Sequence, residues 1–329
     1  MAAKSANGME ILHASPGAGS KLDELHAGAS KLDLTPGWLP RERPILWAQP
    51  NSQFVPAHWD YRAAARLLDA AGPLLDLSLA ERRNLVLRNP ARGTNFETGR
   101  TLVCAYQMIL PGEIAPSHRH SSHALRVITD GKGSYSIVNG EKIPMETGDV
   151  VLTPGWCWHG HGHEGDRPAY WFDGLDVPLT QLLEPMFYEE HPEKYQPVER
   201  LMPSSPLRFT RDAIAHGLDV AKPDSEGFYG RRITLAAPDM PSMSLHMERL
   251  DAGSATRRNR STANRVFLIL EGSGITDIAG QKFAWRTGDT LVAPTWATME
   301  HRVESDTQLF TLSDEPLMRF CNYYRFEAA

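Results

Sequence analysis

The sequence predicts a mainly β protein: two copies of one barrel unit behind a partly helical N-terminal arm. Three observations carry this. From about residue 100, short alternating runs ("TLVCAYQMIL", "ALRVITDG", "GSYSIVNG", "DVVLTPG", "AYWFDGLDV") are separated by Gly, Asn and Asp at close, regular spacing, the pattern of antiparallel strands and tight turns in a sandwich or barrel. The same texture returns near residue 230. Finally, "NGEKIPMETGDVVLTPGW" (139–156) reads against "AGQKFAWRTGDTLVAPTW" (279–296) at a constant offset of 140, and "DGKG" (130–133) against "EGSG" (271–274) at 141, so the second copy is one residue shorter in the hairpin between them. Shared words at fixed spacing mark an internal repeat.

The elements follow in order. Residues 1–35 are rich in Gly, Ala, Ser and Lys and are expected to be flexible at the start. "PGWLPRERPILWAQP" is too dense in Pro to be helical throughout and suits a segment wrapped over a surface or a neighbouring subunit. "WDYRAAARLLDAAGPLLD" carries apolar residues at helical spacing and stops at Gly72-Pro73. "LSLAERRNLVLRNP" begins as a helical turn and ends as a strand, and "PLTQLLEPMFYEEHPEKY" reads as a helix closing the first barrel. The resulting division is an arm and helix over 1–95, a first barrel over 96–195 and a second over 196–329.

Composition excludes several classes. A net charge of −6 and a pI near 6.1, with no basic stretch, argue against nucleic acid. No apolar run approaches the ~20 residues that cross a bilayer, and no apolar signal core follows the N-terminus. Three widely spaced cysteines (Cys104, Cys157, Cys321) make no disulfide framework and suit a reduced, cytoplasmic protein.

Chemistry concentrates in "PSHRHSSHAL" (116–125) and "WHGHGH" (158–163), which hold six of the thirteen histidines. Histidine is the commonest metal-ligating side chain. His118 and His120 are two apart, so on a strand both face the same side. His159 lies on the last strand of the unit, which can neighbour the first. Three imidazoles from two strands leave coordination positions open, as a catalytic metal requires.

The spacing also resembles a known family. "GEIAPSHRH" (112–120) matches the first cupin motif, with Gly112, His118 and His120 in place. "GDVVLTPGWCWH" (148–159) matches the second, with Gly148, Pro154 and His159. Many cupins add a glutamate after three or four further residues beyond the second histidine, where this chain has Ala124 and Leu125. The set is therefore three neutral imidazoles and no carboxylate, which favours an anionic, chelating substrate. "ERRNLVLRNP", "HRHSSHALRVITDGKGSY" and "TPGWCWHGHGHEGDRPAYWFDGLDVPL" are similar to the gentisate 1,2-dioxygenase family, which includes salicylate and 1-hydroxy-2-naphthoate dioxygenases. The resemblance runs from about residue 38 to the C-terminus. It implies a bicupin of two jelly-roll β-barrels, Fe(II), O2 and a small aromatic hydroxy acid, with the ring cleaved between the carboxyl-bearing and hydroxyl-bearing carbons. It also implies a homo-oligomer, a tetramer or related assembly.

Carried over residue by residue, the resemblance makes His118, His120 and His159 the iron ligands and Arg126 the arginine that grips the substrate carboxylate. Arg82 is a second arginine near the substrate. Gln107, His161 and Asp173 line the pocket, with His161 suited to move a proton and Asp173 to orient it. Asn84 shares the strand face of Arg82 and can address a polar ring substituent. His123 and His163 have no matching role. The second copy offers Asn259 and Ser261 at offset 141, or Arg258 and Arg260 at offset 140, with Met299 opposite His159, so neither register restores a ligand set. His301 aligns with His161. Two alternatives stand beside the dioxygenase: a non-enzymatic bicupin that binds a small ligand, and a Zn cupin isomerase.

Overall fold

A computed structural model describes residues 18–39, 45–76 and 83–329. The chain divides after Gln49. In the first unit Ala18–Lys31 is a helix, where composition suggested flexibility. That run has no proline, and its Ala, Leu, Lys and Glu residues are good helix formers that outweigh Gly19 and Gly28. Beyond it, Trp38 Nε1 donates to His26 Nε2 at 3.1 Å.

The second unit, from Pro50, contains both repeats. In the first, one sheet runs in order Arg208–Phe209, Val150–Thr153, Ala124–Asp130, Ala169–Leu175, Val103–Ile109 and Arg83–Val86. Facing it is the sheet Tyr188–Glu190, Ile114–His120, His159–His163, Ser134–Val138, Glu141–Met145 and Arg200–Leu201. Ile109, Ile128, Val151 and Trp171 from one sheet meet Val138, Ile143 and Met145 from the other to form the interior. The second repeat opposes Ala57–Trp59, Thr290–Ala293, Arg265–Glu271, Thr307–Ser313, Ser244–Leu250 and Arg231–Leu235 to Gln281–Arg286, Ser273–Ile278, Met299–Val303, Asn259–Ser261 and Phe326–Ala328. Its interior holds Phe267, Ile269, Leu291 and Leu309 against Ile278, Trp285 and Met299. The architecture is the expected pair of jelly rolls.

The two jelly rolls share a core. Leu125, Val127, Val150, Leu152 and Phe172 turn away from the first interior and pack on Leu245, Met247, Val266, Leu268, Phe310 and Leu312 of the second. Strands buried on both faces need apolar residues at successive positions, which explains unbroken runs such as "VFLIL".

The repeated "TGD" marks where the halves interlock. Gly148 and Gly288 have φ of 90° and 94°, a conformation glycine adopts without steric cost. A Cβ on Gly148 would meet Arg211 Cγ at 2.9 Å, and one on Gly288 would meet Tyr61. The following aspartates each receive a helix: Asp149 Oδ1 accepts from Arg211 N at 2.9 Å, and Asp289 Oδ1 from Tyr61 N at 3.0 Å. The short strand Ala57–Trp59 pairs with the second repeat, while the helix after it, Tyr61–Ala71, packs on Arg83–Val86 and Val103–Ile109 of the first. Conversely, Arg208–Phe209 pairs with the first repeat, and the helix Arg211–Val220 packs on Arg231–Leu235 and Ser244–Leu250 of the second. Each half lends the other a strand.

The segment expected to close the first barrel as a helix differs from that expectation. Only Val177–Leu182 is helical. Glu184 precedes Pro185, and the proline ring disfavours the helical region for the residue before it; Glu184 takes φ 72°. The chain then extends, and Tyr188–Glu190 pairs with Ile114–His120. The strand Arg83–Val86, inside the stretch assigned to the arm, lies at the edge of the first barrel's sheet.

Candidate active site

The strand Ile114–His120 pairs antiparallel with His159–His163, and the register sets His118 directly opposite His159. His118, His120 and His159 are 2 %, 8 % and 0 % exposed. One ring nitrogen of each lies within 4.8 Å of the others. The opposite nitrogens are held by the backbone: His120 Nδ1 is 2.8 Å from Ser122 O, His159 Nδ1 3.0 Å from Cys157 O, and His118 Nδ1 3.4 Å from Pro116 O. A carbonyl beside Nδ1 keeps the proton there and presents Nε2 as the donor, which is how metal-ligating histidines are oriented. Three neutral, converging nitrogens in a buried site fit a divalent transition metal.

The facing sheet supplies the rest of the interior. Register places Asn84, Gln107 and Trp171 side by side, with Asp173 flanked by Ala105 and Arg126 one step along. Arg126 is 1 % exposed; its Nη1 donates to Thr153 Oγ1 at 2.7 Å and its Nε lies 3.4 Å from Asp173 Oδ1. A buried guanidinium of this kind suits a carboxylate. His161 is on the same strand face as His159, with ring centroids 6.1 Å apart, and 5.8 Å from the Trp171 ring. Gln107 Oε1 and Trp171 Nε1 are buried without a hydrogen-bond partner. Such atoms are rare in native proteins and mark places where a ligand or water completes the bonding.

Arg82 lies outside the described residues. Its neighbour Arg83 is buried and bound by both Nη atoms to Glu113 at 2.7 Å, a structural pair. Asn84 lines up with Gln107 but is exposed, at the sheet edge. His123 Nδ1 accepts from Gly155 N at 2.9 Å, and His163 Nε2 meets Arg167 O, so both serve the frame. Two neighbours escaped the sequence reading. Trp171 was signalled by its place two before Asp173 in "AYWFDG". Tyr188, whose ring stacks on His118 at 5.2 Å and 25°, lay in the segment read as helix and gave no signal.

The second repeat resolves its register. Asn259 opposes Met299 as His118 opposes His159, so offset 141 holds. Arg258 turns outward to Glu300 and Asp277, and Arg260 to Glu327. Asn259 Oδ1 accepts from Arg265 Nη1 at 2.7 Å, and His301 Nδ1 lies 2.7 Å from Thr276 Oγ1. These residues replace the ligand set with a hydrogen-bonded plug.

Two jelly rolls, one of them with three buried, converging histidines that could hold a metal ion, define a bicupin. The family described as "Cupin domain" matches residues 105–177. The chain is 33 % identical to gentisate 1,2-dioxygenase 1 of Aquipseudomonas alcaligenes over 92 % of its length and 95 % of that protein. It is 31 % identical to 5-aminosalicylate 1,2-dioxygenase of Comamonas sp over 93 % and 90 %. The crystal structure of salicylate 1,2-dioxygenase from Pseudoaminobacter salicylatoxidans with gentisate superposes with a TM-score of 0.83 at 26 % identity, covering 97 % of this chain and 96 % of that one. This chain belongs to the gentisate 1,2-dioxygenase family of ring-cleaving oxidoreductases.

Proposed function

We propose that the protein is an Fe(II)-dependent dioxygenase that opens gentisate or a 5-substituted salicylate between the carboxyl-bearing and hydroxyl-bearing ring carbons, placing both atoms of O2 in the product. The observation that carries this reading is a set of three converging imidazoles on one sheet with the buried Arg126 on the sheet that faces it: both favour an anion, and an ortho-hydroxy acid is an anion that chelates. His118, His120 and His159 would hold the iron. Bound there, Fe(II) supplies the redox chemistry that lets O2 react with an aromatic ring.

The chain's own residues do the positioning. Arg126, held by Thr153 and Asp173, orients the substrate carboxylate; fixing reactants in one geometry removes much of an entropic barrier. Arg82 is the second contact to that anion. Gln107 Oε1 accepts from a substrate hydroxyl. His161, on the face of His159, takes or returns the hydroxyl proton, while Asp173 sets the charge around it through Arg126. Tetrameric assembly and a cytoplasmic location complete the reading; no helix among the described residues is long and apolar enough to cross a membrane.

The test is oxygen uptake by iron-loaded protein with a panel of 5-substituted salicylates, followed by ultraviolet absorbance of the product. Stoichiometric uptake with ring opening is expected. Binding without uptake for every 2-hydroxybenzoate would replace the dioxygenase with a ligand-binding bicupin, and turnover of a sugar without O2 would replace it with an isomerase.

A further inference from the structure

The three candidate ligands are not held alike. His120 Nδ1 lies 2.8 Å from Ser122 O and 2.9 Å from Ser122 Oγ, and His159 Nδ1 lies 3.0 Å from Cys157 O. His118 Nδ1 lies 3.4 Å from Pro116 O, longer than a well-formed N–H···O bond. A contact of that length steers a ring weakly, so His118 gains most from a second restraint. Tyr188 stands where such a restraint acts: its ring is stacked on His118, with centroids 5.2 Å and planes 25° apart.

The main chain puts Tyr188 there. Tyr188–Glu190 pairs antiparallel with the ligand strand, Tyr188 opposite His120 and Glu190 opposite His118. Ser121 N donates to Phe187 O at 3.1 Å before this strand, and His191 N donates to Ser117 O at 2.9 Å after it. Between them Arg119 Nε donates to Glu189 at 2.6 Å. The second barrel repeats the arrangement. Phe326 opposes Ser261 as Tyr188 opposes His120, and Glu327 binds Arg260 as Glu189 binds Arg119. There Asn259 replaces His118, and the Phe326 ring packs edge-on to Phe228 at 5.0 Å and 87°. The frame delivers an aromatic ring to both places, and that ring lies flat on an imidazole only in the barrel with the triad.

We propose, on the reading of His118, His120 and His159 as metal ligands, that Tyr188 is a positioning residue for the metal: its ring face holds His118 in the ligating orientation and favours the metal-bound imidazole over the free one. Two effects act in the same direction. A side chain already fixed loses less freedom when it binds. An imidazole that has given its lone pair to a dication is electron-poor, and the negative face of a phenol ring attracts it as it attracts a cation. Both need the ring of Tyr188 and neither needs its hydroxyl. Tyr188 is 50 % exposed, so losing the ring opens no buried cavity of the kind that unfolds a core.

Full-length protein stripped of metal and titrated with Co(II) against a competing chelator tests this. The visible absorption of bound Co(II) gives a second readout, and circular dichroism checks the fold. Tyr188→Leu is expected to bind Co(II) about three- to tenfold more weakly, as loss of one aromatic pair implies, and to shift the visible band. Tyr188→Phe is expected to keep both the affinity and the band of the wild type. Wild-type affinity in Tyr188→Leu, or a Tyr188→Phe variant as weak as Tyr188→Leu, would overturn the proposal while leaving the ligand set in place. His118→Ala separates the two readings: Co(II) uptake equal to that of the wild type would remove His118 as a ligand and the role of Tyr188 with it.

Discussion

The two barrels share a backbone and differ in what they hold. Trp156 N donates to His120 O and Trp296 N to Ser261 O, each at 2.7 Å. Asn139 N donates to Trp158 O and Ala279 N to Thr298 O, each at 2.8 Å. His120 Nδ1 bonds Ser122 O, and Ser261 Oγ donates to Ala263 O in the same place. One barrel nevertheless has a triad and the other a plug built on Asn259 and Arg265. The frame is set by turn glycines, "TGD" and alternating apolar residues; the chemistry rests on a handful of inward positions that the frame does not need. A site can leave such a barrel without disturbing it.

The largest test of this contrast is paired. His159→Ala should lose bound metal and activity with its circular dichroism unchanged, while Met299→Ala keeps full metal; elemental analysis reads both. Next, the plug should be reversible. Asn259→His, Ser261→His and Met299→His together should gain a second metal only when Arg265→Ala is added, because the guanidinium occupies and repels the cation's place. A second metal bound with Arg265 intact would show that the plug does not exclude it. Arg126→Ala should then lower kcat/KM by about ten- to hundred-fold with metal retained, since a charge-assisted bond contributes about 1.5–3 kcal/mol. Unchanged kinetics would place the carboxylate elsewhere.

The second barrel should also weaken in acid. Burial pushes His301 and His246 down to about 3. Above the unfolded value near 6.5, both states are neutral and neither imidazole is penalised. As pH falls below that, the unfolded chain binds protons that the folded one refuses, so stability declines through the window down to the folded value. Between pH 6.5 and pH 5 each contributes a loss on the order of 2 kcal/mol, and His301→Gln should flatten the fall of Tm with acid. The smallest effect concerns Asn84, at the edge of the catalytic barrel opposite Gln107. Asn84→Ala should weaken preference for 5-polar over unsubstituted salicylate by roughly 0.5–1.5 kcal/mol; equal kcat/KM ratios across the panel would remove it from the site.

The strands of both barrels and the triad were legible because they rest on local rules: alternation with period two, glycine at turns, histidines two apart. The helix Tyr61–Ala71, capped by Asp60 and ended at Gly72, was legible for the same reason. Tyr188 was not, because pairing across a sheet edge depends on where Pro185 sends the chain. Nor was the bond between Asn259 and Arg265, since which of two registers the second copy adopts depends on pairing with Met299, forty residues away. The role of "TGD" was visible as a repeat but not as a helix receptor, because the helices it receives lie outside the repeat that was read.

The exchanged strands have a consequence for how the protein is made. Ala57–Trp59 leaves the ribosome 233 residues before its partner Thr290–Ala293 begins (290 − 57 = 233). At translation rates of about 5–20 residues per second this is a delay of roughly 10–50 seconds. Through that interval the nascent chain carries an unpaired strand and a catalytic barrel whose outer hydrophobic wall has nothing to rest on. Such surfaces invite wrong pairings and are shielded by chaperones. The N-terminal half therefore depends on the C-terminal one before any substrate arrives.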